Sequence, residues 1–240
     1  MAATTDQLYR AHVKNLRATD TALKSIVREL NSSLSRSEDK TSDALLKTAM
    51  LLLGCWAENR LKKMTFEPNG FSNAERAKIN QANSQIEIWK AALETGFRKR
   101  HAIPQADLSV ALPITPRSHY QALLNVVDTE LRPVIEARNK LAHGQWSRTL
   151  NSENTDFSAA LMAQISDENA HSIKCKMRIL EYLARIIQDL VAGNQAFERD
   201  FDPHYKNLEY AKIEISSKSY ANWLLNMRSK YQRGRQARRS

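Results

Sequence analysis

The sequence predicts an all-α protein: an antiparallel helical bundle with an inserted helix and loop and a C-terminal extension. Three observations lead to this prediction. Apolar residues recur every three or four positions through most of the 240 residues, which is the spacing of one face of an α-helix. The apolar fraction of 42% is enough to fill a core. No segment repeats at a fixed period, and no low-complexity linker divides the chain. Because the helical pattern weakens after residue 195, we expect a bundle domain over residues 1–194 and an extension over residues 195–240.

Two long helices are predicted in the first quarter of the chain. The first covers residues 5–34, because its apolar positions step by threes and fours from Leu8 to Leu34. A polar break at residues 35–42 separates it from the second helix, which ends before the turn sequence at residues 68–70. The apolar stripe of the second helix consists of Leu45, Ala49, Leu52, Leu53, Trp56, Leu61 and Met64.

A third helix and a loop are predicted next. The apolar stripe of this helix consists of Ile79, Ile86, Trp89, Leu93 and Phe97. Residues 98–117 then hold three of the six prolines and open with a basic run, so we expect an ordered surface loop.

The fourth predicted helix covers residues 119–143 and contains Pro133, which predicts a kink near Leu131. Gly144 ends it. After a polar stretch, a strongly patterned fifth helix continues to Gly193.

The region after residue 195 has a weaker pattern. Residues 208–216 are compatible with either a short strand, because of their β-branched content, or with more helix. Apolar positions between residues 220 and 231 predict a short final helix.

The charge of the chain indicates an anionic partner. Thirty-six basic and 26 acidic residues give a net charge of +10, and six of the basic residues follow one another from Arg228 onward without an acidic one. The rest of the chain holds 30 basic and 26 acidic residues, a net charge of +4. The basic tail is compatible with a solvated chain end or with a nucleic-acid arm, and either adds salt-sensitive attraction to phosphate.

Several classes of protein are not indicated. The six glycines are too far apart to form the usual glycine-rich nucleotide cradles. The two cysteines form no Cys-x-x-Cys pair, and the six histidines show no zinc-binding spacing, so we expect no metal and no cofactor. The longest apolar run, residues 49–57, is about half of a membrane span, and no signal sequence is visible. These features predict a cytoplasmic protein without a membrane partner.

One segment concentrates polar chemistry at the end of the fourth predicted helix. Asn139 and His143 are four residues apart, about 40° around the helix axis, and so share a face, whereas Arg138 lies about 140° from His143 and flanks it. A structural interpretation is that His143 bonds the last carbonyl groups and Arg138 pairs with a carboxylate. A functional one is that an imidazole, an amide and a permanent cation converge where a phosphodiester can bind.

These residues resemble the R-x4-H motif of the HEPN superfamily of helical-bundle proteins. The match is Arg-Asn-Lys-Leu-Ala-His at residues 138–143, followed by Gly144, with the favoured polar residue directly after the arginine. Residues 56–64 also resemble the charged helix end that lies opposite the motif helix in some members. The resemblance extends over residues 40–192 and implies a four-helix core.

The resemblance implies a metal-independent endoribonuclease of a toxin–antitoxin or antiviral-defence system. Such proteins usually form homodimers with two motifs in one cleft. His143 from each copy would act as general base or general acid while the ribose 2′-OH attacks phosphorus, leaving 2′,3′-cyclic phosphate and 5′-OH ends. Arg138 would stabilise the charge on phosphate, and Asn139 would orient the imidazole or the phosphate.

RNA is the implied substrate, because DNA lacks the attacking hydroxyl group. An antitoxin or other regulatory protein is a further possible partner. Two alternatives stay open: a non-catalytic helical module that binds RNA or a protein, and a helical subunit that pairs with a nucleotidyltransferase-like partner. The candidate RNA-backbone contacts, with Arg60 favoured, are Arg60, Lys62, Lys63, Arg98, Lys99 and Arg100.

Overall fold

The computed structural model describes residues 3–193 and 195–237, and it confirms the predicted all-α class. Within these residues, the one strand-like feature is an isolated antiparallel bridge between Leu150 and Phe157. None of the described helices combines the length and the apolar character needed to cross a membrane. The helices are α1 (Thr5–Ser35), α2 (Asp39–Thr65), α3 (Asn73–Ile79), α4 (Gln85–Arg100), α5 (Leu108–Ala111), α6 (Ile114–Val126), a π-helical turn (Val127–Leu131), α7 (Arg132–Ala142), α8 (Ala159–Asp167), α9 (Ala170–Ala192), α10 (Ala196–Ser217) and α11 (Tyr220–Gln236).

The first two helices form a hairpin. A capping box at Thr4 starts α1, and the connection to α2 is only residues 36–38, shorter than the predicted break. The buried hydroxyl groups of Ser33 and Ser42 share a hydrogen bond of 3.0 Å across this turn. The polar residues after the turn belong to the first turn of α2, where Asp39 also complements the helix dipole.

The structure corrects the predicted middle of the chain. The single third helix is instead two helices, because Ile79 ends α3 and Ser84 caps a separate α4. The predicted loop at residues 98–117 is only partly a loop: residues 98–100 are the end of α4, and α5 and the start of α6 interrupt the remaining loop segments at 101–107 and 112–113. Pro113 is the N-cap of α6, a position that proline tolerates because no helical N–H bond is needed there.

The predicted distortion at Pro133 is a π-helical turn. The Arg132 N–H bonds the Val127 carbonyl, five residues back, and Pro133 falls in the first turn of α7. Proline has no N–H group and its ring clashes with the carbonyl four residues earlier, so the extra residue of a π turn accommodates it within a continuous helical rod.

One apolar core runs from α1 to α10. The helix α2 contacts both α7 and α9 through it, and α10 packs along α9 through Phe197, Phe201, Leu208 and Ala211. The segment at residues 208–216 is therefore helix, not strand. The division at residue 194 stays a prediction, although α10 shares its core with the preceding helices.

The final helix lies on the surface along α1. It has no buried residue, and Arg228 donates to the Leu34 carbonyl group at 3.0 Å while Arg235 donates to the Ser35 hydroxyl group at 3.1 Å. Much of the predicted basic tail is thus helical, and its last two arginines, Arg238 and Arg239, lie outside the described residues.

Candidate functional site at the end of α7

The end of α7 is held in a defined shape. Gly144 adopts a φ of +77°, which glycine tolerates and other residues rarely do. Its N–H donates to the Leu141 carbonyl at 3.1 Å, and the Gln145 N–H donates to the Lys140 carbonyl at 3.0 Å, the two bonds of a Schellman motif. The helix therefore stops at a fixed residue, and the exposed His143 side chain projects from its last turn.

An open groove of about 510 Å³ begins at this helix end. Both Asn139 and His143 border it, so the structure brings these two predicted site residues together, as their four-residue spacing indicated. None of the described side chains that line it is acidic or apolar, so a phosphate group entering it meets no carboxylate from these residues. The lining consists of Asn139, Lys140, His143, Gln145, Asn151, Ser152 and Asn154.

The far wall of the groove is an ordered loop. Lys140 Nζ donates to the Leu150 carbonyl at 2.5 Å, and the Leu150 N–H donates to the Gln145 side chain at 2.8 Å. Within the loop, the Asn151 side-chain oxygen accepts from the Thr155 N–H at 2.9 Å. The polar stretch that follows Gly144 in the sequence is therefore tied back to the last turn of α7.

The guanidinium of Arg138 points away from this groove and towards α2. It donates to Glu58 Oε2 from Nη2 at 2.6 Å and to Asn139 Oδ1 from Nη1 at 3.0 Å, while its Nε is enclosed without a partner. Arg138 is not among the lining residues, so the structure brings it beside Asn139 but not into the groove.

The helix α2 is shaped to receive Arg138. A Cβ atom added at Gly54 would lie 2.4 Å from the Arg138 Cβ, closer than such atoms can approach, so only glycine allows the present contact. Glu58 follows one turn later and binds Arg138, and Lys62 one turn later again binds Glu58 at 2.7 Å. Sequence reasoning did not single out Gly54 or Glu58, although Glu58 lies in the segment at residues 56–64 that was expected opposite the motif helix and is four residues from Gly54, on the same helix face.

The other predicted RNA-backbone residues of α2 point elsewhere. Arg60 is about 200° around the helix from Glu58 and donates to Gln188 of α9 at 2.9 Å. Lys63 is buried, pairs with Glu67 and lies over the Tyr9 ring. Only Lys62 is on the side of α2 that faces α7.

The basic run at the end of α4 binds neighbouring parts of the chain and does not border the groove. Arg98 bonds Glu94 and two carbonyl groups of the following loop, and Lys99 bonds the Gly70 carbonyl group. Arg100 pairs with Glu198 of α10 and stacks over the Phe197 ring at 5.1 Å. The contacts of all three side chains hold α4 to the rest of the fold.

Two clusters of side chains with metal-binding chemistry lie elsewhere in the described part of the chain. One joins His171 and Cys175 of α9 to Glu214 of α10, and the other joins three residues of the same two helices. Arg178 and Lys218 already bond the Glu214 carboxylate and lower its pKa to about 2. Sequence spacing missed both clusters because each combines two helices.

Comparisons of the chain with protein-family models, with curated protein sequences and with solved structures found no match. The relation to the HEPN superfamily thus stays a resemblance that rests on the motif at residues 138–143.

Proposed function

We propose that the chain is a metal-independent endoribonuclease that acts as a homodimer, in a toxin or antiviral-defence role. The observation that carries the proposal is the exposure of His143 beside Asn139 in a groove whose lining has no acidic side chain. A phosphodiester needs such a surface, because a carboxylate at the same place would repel it.

The proposed reaction uses only side chains. One imidazole takes the proton of the ribose 2′-OH as its oxygen attacks phosphorus, and a second imidazole gives a proton to the departing 5′ oxygen. The P–O5′ bond breaks, which leaves a 2′,3′-cyclic phosphate and a 5′-OH end. Both histidines return to their starting charge when water or the products exchange protons with them.

The second imidazole is the reason for proposing a dimer. His143 is the one histidine among the groove-lining residues of the described chain. A second copy of the chain that presents its own His143 would complete an acid–base pair. Arg138 would stabilise the charge on the phosphate through its Nη1 group, which bonds only the neutral amide oxygen of Asn139 among the described residues. Glu58 holds the other end of the guanidinium, Nη2, in position.

Cleavage of RNA in excess EDTA tests the proposal. The His143→Ala variant should retain its fold, because the side chain is exposed, and should lose at least about a hundredfold in cleavage rate. Lys78→Ala is the matched control, since Lys78 is also exposed but does not border the groove, and it should cut like the unaltered protein. Cleavage that persists in His143→Ala, or products without cyclic phosphate, would contradict the proposal.

A non-catalytic RNA-binding module is the second candidate, and the orientation of Arg138 favours it. A guanidinium that already bonds Glu58 and Asn139 has less freedom to follow charge that develops on phosphate. This candidate predicts salt-dependent RNA binding that is unchanged in His143→Ala, with no new RNA ends.

Control of a toxic nuclease requires a restraint, and an antitoxin or other regulatory protein that covers the groove is the partner we propose. Co-purification of a second chain with the His143→Ala protein, which its host tolerates, would identify it. The cytoplasmic location stays a prediction, for which cell fractionation is the test.

A further inference from the structure

A second cavity, of about 550 Å³, lies between α1, α2 and α9. Its size is within the range of small-molecule sites. It opens on the side of α2 that carries Trp56, Arg60 and Lys63, which is opposite to the side that carries Glu58 and faces α7. The cavity is therefore separate from the groove at His143.

The most unusual group in this cavity is Arg60. Within the described part of the chain, its one hydrogen bond goes to the neutral side chain of Gln188, and its Nε is enclosed with no partner. No carboxylate among the described residues comes within the 4.0 Å of an ion pair. Cations this enclosed are normally paired with an anion, because desolvation is otherwise uncompensated.

The pKa of Arg60 agrees with this geometry. Burial lowers it, and the charges of Glu67, Glu181 and Asp189, which raise it against a smaller opposing effect of Arg185, do not offset the burial. Five basic and two acidic side chains are among the described residues that line the cavity, so its lining is short of negative charge.

The other charged side chains of the cavity show how many of its cations lack a carboxylate partner. Three of its cations have their own carboxylates: Lys24 pairs with Asp20, Arg185 with Glu181, and Lys63 with Glu67. Arg17 of α1, an exposed residue, has no ion pair within the described chain. Two guanidinium groups, Arg17 and Arg60, therefore remain without an anionic partner.

These two guanidinium groups line the same cavity. Both oppose the rise in the pKa of the Tyr9 hydroxyl that burial and the hydrogen-bonded Glu67 carboxylate cause. Two positive charges match a phosphate monoester, which carries a charge of about −1.5 to −2 near pH 7. Guanidinium groups also fit the geometry of phosphate oxygens, since each offers paired donors.

One part of the cavity wall is apolar. Leu23, Leu53 and Trp56 are buried core residues that also line the cavity, and Met177 of α9 lies on the same wall. An inorganic phosphate ion would leave this apolar surface exposed to water. A ligand with an aromatic or aliphatic body attached to its phosphate would cover it.

We propose that this cavity binds a small organic phosphate of about nucleotide size, with Arg17 and Arg60 holding the phosphate and the wall at Leu53 and Trp56 holding the apolar body. The inference is independent of the proposed ribonuclease, because it involves neither His143 nor the α7 side of α2.

Titration calorimetry of the full chain tests the inference, with adenosine 5′-monophosphate and phenyl phosphate as probes. At least one of these monoesters should bind, and its parent without phosphate, adenosine or phenol, should bind at least about tenfold more weakly. Inorganic phosphate should also bind more weakly, because it does not cover the apolar wall.

Three variants locate the site. Arg60→Gln and Arg17→Gln should each weaken binding of the monoester by about tenfold or more, since each removes a charge-assisted contact. Arg17 is exposed, so this variant remains informative if Arg60→Gln folds poorly. Lys62→Gln is the matched control: it removes the same charge from the same helix outside the cavity and should change affinity less than about twofold.

Three outcomes would overturn the inference. The first is that neither monoester binds at millimolar concentration. The second is that monoester affinity is the same in Arg17→Gln and Lys62→Gln. The third is that only longer RNA strands bind, which would identify the cavity as part of a polynucleotide track instead of a small-molecule site.

Discussion

The two sides of α2 differ in how an arginine side chain is paired. On the α7 side, Arg138 approaches over Gly54 and meets the carboxylate of Glu58 at 2.6 Å. On the α9 side, Arg60 is enclosed but meets only the amide of Gln188. A cation that is paired within its own chain contributes to the fold, whereas an enclosed cation without a partner costs desolvation free energy. The comparison indicates that Arg60, unlike Arg138, does not stabilise the fold through an ion pair within the described chain.

Gly54→Ala should have the largest effect on this comparison. The new methyl group would lie 2.4 Å from the Arg138 Cβ, so α2 and α7 would have to separate, and we expect the free energy of unfolding to fall by about 2 kcal/mol. Urea unfolding measures it. Gly234→Ala in α11 is the matched control, because nothing lies within 4 Å of its added Cβ, and it should raise stability by up to about 1 kcal/mol. Equal effects at the two glycines would show that the close contact at Gly54 is not needed.

Substitutions of Glu58 and Arg60 should change the free energy of unfolding in opposite directions. Glu58→Gln should lower the free energy of unfolding by about 1 kcal/mol, because it leaves the half-buried Arg138 without its carboxylate. Arg60→Met should raise it by about 1 kcal/mol, because it replaces an enclosed, unpaired charge by an apolar chain of similar length. Thermal or urea unfolding measures both changes in the free energy of unfolding. A loss of stability in Arg60→Met would erase the difference between the two sides of α2.

The stability of the fold should fall as the pH decreases from 7 to 5. Burial lowers the pKa of four histidines below the ordinary value of 6.5, so in this interval the unfolded chain binds more protons than the folded chain. Asp189 opposes the trend, since burial raises its pKa. Carboxylates such as Glu214 do not add to it, because their contribution is lost only below about pH 4.5. The four residues are His12, His101, His119 and His171.

Urea unfolding at several pH values checks this expectation. Stability that is constant or increases towards pH 5 would contradict it.

The smallest effect concerns His12 of α1. Burial lowers the pKa of its imidazole, and the positive charge of Lys62 lowers it further. Lys62→Gln should therefore raise the pKa of His12 slightly, whereas Lys78→Gln, a charge change on α3, should not. Proton NMR titration of the imidazole follows both. An unchanged pKa of His12 in Lys62→Gln would mean that the Lys62 charge has no effect on this imidazole.

Most helices of this protein were predictable because each one repeats its apolar residues with the helical period. The errors occurred where caps decided the outcome. Ser84 caps the start of α4, because its side chain accepts a hydrogen bond from the Glu87 N–H. This cap separates α3 from α4 although the apolar stripe continues across both helices. The prolines at residues 113 and 116 indicated a loop, although proline is also suited to a first helical turn.

The segment at residues 208–216 shows what local pattern cannot decide. Its β-branched residues are compatible with a strand, but Leu208 and Ala211 are three residues apart and both enter the core beside α9. Packing against a neighbouring helix therefore selects the helical state, and local propensity is too weak to oppose it.

The sequence by itself determined the all-α class, the stop of α7 at Gly144 and the shared face of Asn139 and His143, because all three depend on residues within about one or two turns of each other. Only the tertiary structure decided the partners of the arginines. Arg138 and Glu58 are 80 residues apart, and Arg60 and Gln188 are 128 residues apart. Spacing along the chain cannot specify which helices become neighbours, and an ion pair depends on a distance that exists only after they pack.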